Sequence, residues 1–171
     1  VAGRGSARST ELSGAGEAGE EALLLAGLTH PFLIEEFAEQ FSSMPIAEPI
    51  LDKLRRELLH AASSGQTLDS QGLRDHLRLN GAADICERLE RRPMLRAMAM
   101  TRRETPRHEV LREFQHVLAR HRKLTELESE HAQAAEALKR EATEDNVARL
   151  RAIAEELNSI IGAEAGPPDA F

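Results

Sequence analysis

A chain of 171 residues holds one ordinary domain, or one small domain with an appendage. Leu, Ala, Glu and Arg dominate, Trp and Tyr are absent, and aromatic residues make up 3%, which excludes a β-rich fold and leaves an all-α one. The net charge of −7 disfavours nucleic acid as a direct partner, and with no apolar run near the roughly 18 residues that cross a bilayer, a soluble cytoplasmic protein with no membrane contact is expected.

Residues 1–19, opening VAGRGSARST without a Met, are rich in Gly, Ser and Ala and are expected to form a flexible linker within a longer protein, or the remnant of a tag. GEEALLLAGLTHPFLIEEFAEQFSS then predicts two short helices parted at His30-Pro31, because a proline disfavours helical backbone in the residue before it. Leu23, Leu24, Leu28, Leu33, Phe37 and Phe41 are their expected core residues.

Ile50, Leu51, Leu54, Leu58 and Leu59 are spaced for one face of a third helix that stops at Gly65. A fourth is expected to be capped by Asp69 or Ser70, to bury Leu73, Leu77 and Leu79, and to stop at Asn80-Gly81. ICERLE makes a short fifth helix in which Cys86 reads as a small buried apolar residue, and one cysteine without an internal partner fits a reducing compartment.

Pro93 opens MLRAMAM, whose methionines suit either core filling or an adaptable partner surface. The surrounding stretch is rich in arginine, but no aromatic residues interleave it, so a solvated surface is expected rather than a nucleic-acid contact. From Pro106 to about Ala142 the helical pattern runs without Gly or Pro, over roughly 50 Å at 1.5 Å per residue, so the far end is expected to leave the bundle or bend. Val110, Leu111, Phe114, Val117 and Leu118 are rich enough to pack on a bundle, whereas Leu124, Leu127, Ala134, Ala135 and Leu138 form a thinner stripe.

In KREATEDNVARL the chain reverses without Gly or Pro. Lys139 and Arg140 suit a helix C-terminus, Thr143 caps a new helix, and Glu144 and Asp145 complement its dipole. The second helix carries Val147, Leu150, Ile153, Leu157, Ile160 and Ile161 and ends at Gly162. In the resulting antiparallel hairpin Leu138 is expected to meet Leu150, Ala134 or Ala135 to meet Ile153, and Leu127 to meet Ile160 or Ile161, leaving some apolar surface exposed.

The histidines at 30, 60, 76, 108, 116, 121 and 131 form no HExxH or Cys/His cluster, and GxxxxGK[ST], GxGxxG and GxSxG are all missing. No catalytic residue, metal site or cofactor is expected in this chain. The reading is an all-α protein, a small multi-helix bundle followed by a long helix and a C-terminal helical hairpin. Its parts are a linker at 1–19, a globular helical subdomain at 20–120, a hairpin subdomain at 121–162 and a disordered tail at 163–171.

That order, with LLLAGLTHPFLIEEF opening the bundle and TEDNVARLRAIAEELNSI closing the hairpin, resembles the C-terminal helicase-binding domain of bacterial DnaG-type DNA primases over about residues 20–162. The resemblance implies a non-catalytic interaction domain. Its hairpin would dock on the N-terminal domains of the hexameric DnaB-type replicative helicase, recruiting primase to the fork and modulating the helicase. The polymerase core and zinc-binding domain would lie upstream in the parent nucleotidyltransferase. The expected helicase-binding residues are Arg140, Glu144, Asn146, Arg149, Leu150, Ile153, Leu157 and Ile161, with Leu150 and Leu157 equally suited to holding the hairpin together.

Two other readings compete. One is the N-terminal scaffold domain of a replicative helicase, disfavoured by the acidic, Pro-containing segment after the hairpin. The other is a small helical nucleic-acid adaptor using Arg91, Arg92, Arg102 and Arg103. A hairpin face that meets a partner is also open to pairing with a second copy.

Overall fold

The computed structural model describes the backbone of residues 4–64 and 69–163, and side chains from residue 16 onward within those ranges. The described residues form an all-α bundle of nine α-helices with one 3₁₀ turn and no strand. The expected stop at Gly65 and the expected tail from residue 164 lie outside the described residues. Two compact units divide the chain, one at Glu17–Ala119 and the other joining Val1–Gly16 with Arg120–Phe171.

Helix α1 spans Arg4–Thr29, so the segment expected to be a loose linker is helical from Arg4. Each glycine in it costs about 1 kcal/mol relative to Ala but keeps its backbone hydrogen bond, and the first proline is Pro31. A helix anchored at one end also grows without a second nucleation cost, and this one is anchored by Ala22–Leu28. Ala22, Leu23, Leu24, Leu25, Ala26 and Leu28 are all buried, so this part of α1 is covered on every side and forms the axis of the Glu17–Ala119 unit.

Around it lie α2 (Phe32–Glu36) and α3 (Ala38–Ser43), separated by a break at Phe37. Next come α4 (Pro49–Ser63), α5 (Ser70–Leu79), α6 (Ala83–Glu90), α7 (Pro93–Ala97) and the 3₁₀ turn Ala99–Thr101. The punctuation is chemical. Pro49 and Pro93 each open a helix where the missing N–H costs nothing, and the Asp69 side chain accepts from Gly72 N at 2.7 Å. Gly81 ends α5 at φ +71°, a conformation that side-chain-bearing residues rarely adopt. Arg55 Nη1 donates to the carbonyls of Ser42 (3.0 Å) and Met44 (2.7 Å), serving acceptors that the end of α3 leaves open.

Leu73 and Leu77 are buried as expected, but Leu79 is 87% exposed. Residues two apart on a helix point in nearly opposite directions, so Leu79 cannot share their face. Likewise Leu51, Leu54 and Leu58 are buried while Ile50 is exposed. In MLRAMAM the alternatives separate by residue: Met100 is buried, Met98 packs at the core edge, and Met94 faces solvent. Cys86 is buried, and burial pushes its thiol up to about 11.

Helix α8 spans Arg107–Arg140, and its Val110, Phe114 and Leu118 complete the core of the Glu17–Ala119 unit. Phe114 packs against Phe37 and Phe41, with ring centroids 4.9 and 5.7 Å away. Gly27 permits the close approach of α1 to α2 and α3, since a Cβ there would lie 3.2 Å from both Ile34 Cγ1 and Phe41 Cζ. Those two side chains are buried and cannot retreat freely. Gly27→Ala is therefore expected to lower stability by about 1–3 kcal/mol, outweighing a helix-propensity gain of about 1 kcal/mol. A urea midpoint that stays level or rises would show instead that the core yields.

His30 follows α1 and directs Nε2 to the carbonyl of Arg102 at 3.0 Å. Burial lowers its pKa from 6.5, with the bond to Arg102 opposing in part. The unfolded chain thus binds this proton more readily than the folded one. The stability contribution is present above pH 6.5 and is lost as pH falls through the folded value. Urea melts at falling pH are expected to show a steeper loss for the natural chain than for His30→Gln, and equal slopes would contradict the assignment.

Candidate docking hairpin

The Arg120–Phe171 unit is built on a helix reversal. Within it the C-terminal part of α8 is followed by α9, Glu144–Gly162. The link is Glu141–Thr143, longer by two residues on the α8 side than the sequence pattern predicts, because α8 stops at Arg140 rather than at about Ala142. Thr143 is the N-cap of α9, its Oγ1 accepting from Asn146 N at 3.2 Å. The side chain of Asn146 reaches back, Nδ2 donating to the carbonyl of Glu141 at 2.7 Å. One residue thus ties the end of α8 to the start of α9, and this explains how the turn forms without Gly or Pro.

Arg120 Nη2 donates to Ile160 O at 3.3 Å, and Lys123 Nζ meets Glu156 Oε1 at 2.9 Å. These contacts tie the hairpin part of α8 to the C-terminal half of α9. Leu124, Leu127, Ala134, Ile153 and Leu157 form a separate small core, with Leu150, Ile160 and Ile161 packed against it. Ile160 and Ile161 are therefore half-buried rather than openly exposed.

The electrostatics follow burial. Glu156 raises the pKa of Lys123 through their hydrogen bond, whereas burial lowers that of Arg120 and raises that of Glu128. Glu128 Oε1 is buried without a hydrogen-bond donor among the described residues.

The sequence-predicted site residues divide into three positions. Arg140, Glu144 and Arg149 are exposed about the turn, and Asn146 and Leu150 are half-buried beside them. Ile161 is half-buried toward the other end of α9. Ile153 and Leu157 are interior, 7% and 1% exposed, so they support the hairpin rather than present themselves to a partner. Sequence reasoning passed over Leu138 and Val147 as surface residues. Both are half-exposed near the turn and belong to neither hydrophobic core, a position that follows once α8 is known to stop at Arg140.

The arginines of the nucleic-acid reading do not form one free patch. Arg91 pairs with Glu87 at 2.9 Å and Arg92 with Glu21, leaving Arg102 and Arg103 exposed and without such partners among the described residues. Among the described residues no group of three or more His, Cys, Asp or Glu is placed to hold a metal ion, and no helix is long and apolar enough to cross a membrane. What the geometry defines is an all-α protein with a helical hairpin that carries its own core. Comparison with family models, curated proteins and solved structures yields no match.

Proposed function

We propose that this chain is the helicase-docking region of a DnaG-type primase and that the hairpin of α8 and α9 engages the N-terminal domains of a DnaB-type helicase hexamer. The observation that carries the reading is the turn end of the hairpin. There Leu138, Val147 and Leu150 are half-exposed among the exposed charges of Arg140, Glu144 and Arg149, an apolar centre with a charged rim. The hairpin core behind it holds this surface in shape. Tethering by such a contact raises the local concentration of a priming enzyme at the fork without any chemistry in the chain itself.

The test is co-sedimentation with a purified DnaB-type hexamer. The intact chain is expected to travel with the ring, and a chain truncated after Lys123 is not. Arg140→Glu combined with Arg149→Glu keeps the hairpin core and is expected to weaken binding by about tenfold or more, a size typical of central contact residues. Failure of the intact chain to co-sediment rejects the reading. Ring formation by the chain alone would favour the helicase-scaffold alternative, and steeply salt-dependent binding to single-stranded DNA would favour the adaptor.

A further inference from the structure

A different part of the molecule, independent of the docking reading, brings distant arginines together. The Glu17–Ala119 unit contains a pocket of about 230 Å³ bordered by Thr29, Arg74, Glu90, Arg96, Thr101 and Arg103. Arg74 comes from α5, Arg96 from α7, and Arg103 follows the 3₁₀ turn, so three separate segments each contribute an arginine to its lining. Glu90 is paired with Arg74 Nη1 and neutralises that charge. Arg96 and Arg103 have no carboxylate partner among the described residues, whereas Arg55, Arg88, Arg91, Arg92 and Arg107 on the same unit each hold one.

The hydroxyls supply no donors. Thr29 Oγ1 already donates to Leu25 O at 2.8 Å, and Thr101 Oγ1 to Leu95 O at 2.6 Å. What remains is an excess of guanidinium donors, whose forked N–H groups match the oxygens of a phosphate. The volume is below the roughly 300–1,000 Å³ of pockets that enclose a whole drug-sized ligand, so the pocket suits one or two phosphoryl groups rather than a whole molecule. A single-stranded nucleic acid would need a longer basic groove with aromatic platforms, and none of the pocket residues is aromatic.

We propose that this pocket binds the phosphate or diphosphate group of a small molecule. The probes are inorganic phosphate and inorganic diphosphate, titrated into the whole ¹⁵N-labelled chain at low salt, with a single-stranded oligonucleotide as a third arm. Saturable shifts are expected at the amides of Thr29, Arg74 and residues 96–103, and the tighter of the two inorganic ions shows how many phosphoryl groups the pocket takes. Arg96→Ala with Arg103→Ala, both exposed positions, is expected to weaken binding on the order of a hundredfold, roughly tenfold for each charged donor lost. Arg91→Ala removes the same kind of charge outside the pocket and is expected to leave binding unchanged. Shifts that spread without saturating, equal weakening in Arg91→Ala, or oligonucleotide binding that diphosphate does not displace would each overturn the proposal.

Discussion

Leu157→Ala is expected to cost about 2–5 kcal/mol and to melt the hairpin while the core around α1 keeps its structure. Leu157 is 1% exposed in a small core whose other buried members among the described residues are Leu124, Leu127, Ala134 and Ile153. Removing a buried leucine forfeits its transfer energy and leaves a cavity that the surroundings fill only in part. A core this small has few other contacts to absorb the loss. The compact unit at Glu17–Ala119 has a separate hydrophobic cluster in which Leu157 takes no part. Hydrogen exchange is the discriminating measurement: amides of α9 should lose protection while those of α4 retain it. Undiminished protection in α9, or loss everywhere together, would contradict the separation of the two cores.

Phe114→Ala is expected to have the opposite distribution, unfolding the Glu17–Ala119 unit. The ring is 1% exposed and packs against Phe37 and Phe41. Truncation to Ala in such a site costs about 3–5 kcal/mol, and each lost aromatic pair adds roughly 0.5–1.5 kcal/mol. Total stabilities of natural domains are only about 5–15 kcal/mol, so the expected result is a largely unfolded unit at modest urea concentration. Phe114→Leu keeps more of the volume but also loses both aromatic pairs, so it should cost about 1–3 kcal/mol, less than Phe114→Ala. A loss below about 1 kcal/mol for Phe114→Ala would mean that Phe37 and Phe41 collapse into the space, against the close packing expected of such a core.

Helix boundaries were readable where a residue acts on the backbone through its own chemistry. Asp69 and Thr143 cap, Pro93 starts a helix, and Gly81 stops one, all through local groups that periodicity brackets from either side. Leu79 misled because it lies close to Leu77 in sequence but about half a turn away around the helix axis. The start of α1 misled for another reason: a run of glycines has low intrinsic helicity, yet it extends a helix whose next turns are held by the core. The hairpin was legible as an element, because Thr143 supplies the cap that its reversal needs. Its supporting ties, Asn146 to Glu141 and Lys123 to Glu156, depend on that reversal having already placed their partners. Arg74, Arg96 and Arg103 were illegible as a group because nothing in their spacing signals that α5, α7 and the residues after the 3₁₀ turn share one pocket.

The short connection at Glu141–Thr143 has a consequence for the order in which this protein acquires structure. The entropy lost on closing a loop grows with the logarithm of its length, so bringing α9 back onto α8 demands little search. Contacts between near neighbours in sequence form early, and topologies rich in them reach the native state in microseconds to milliseconds. The Glu17–Ala119 unit must instead join α1 to Val110 and Phe114, across most of its sequence. Stopped-flow refolding should therefore resolve a fast phase reported by a probe on α9 and a slower one reported from α1, with the hairpin assembled before the bundle is complete.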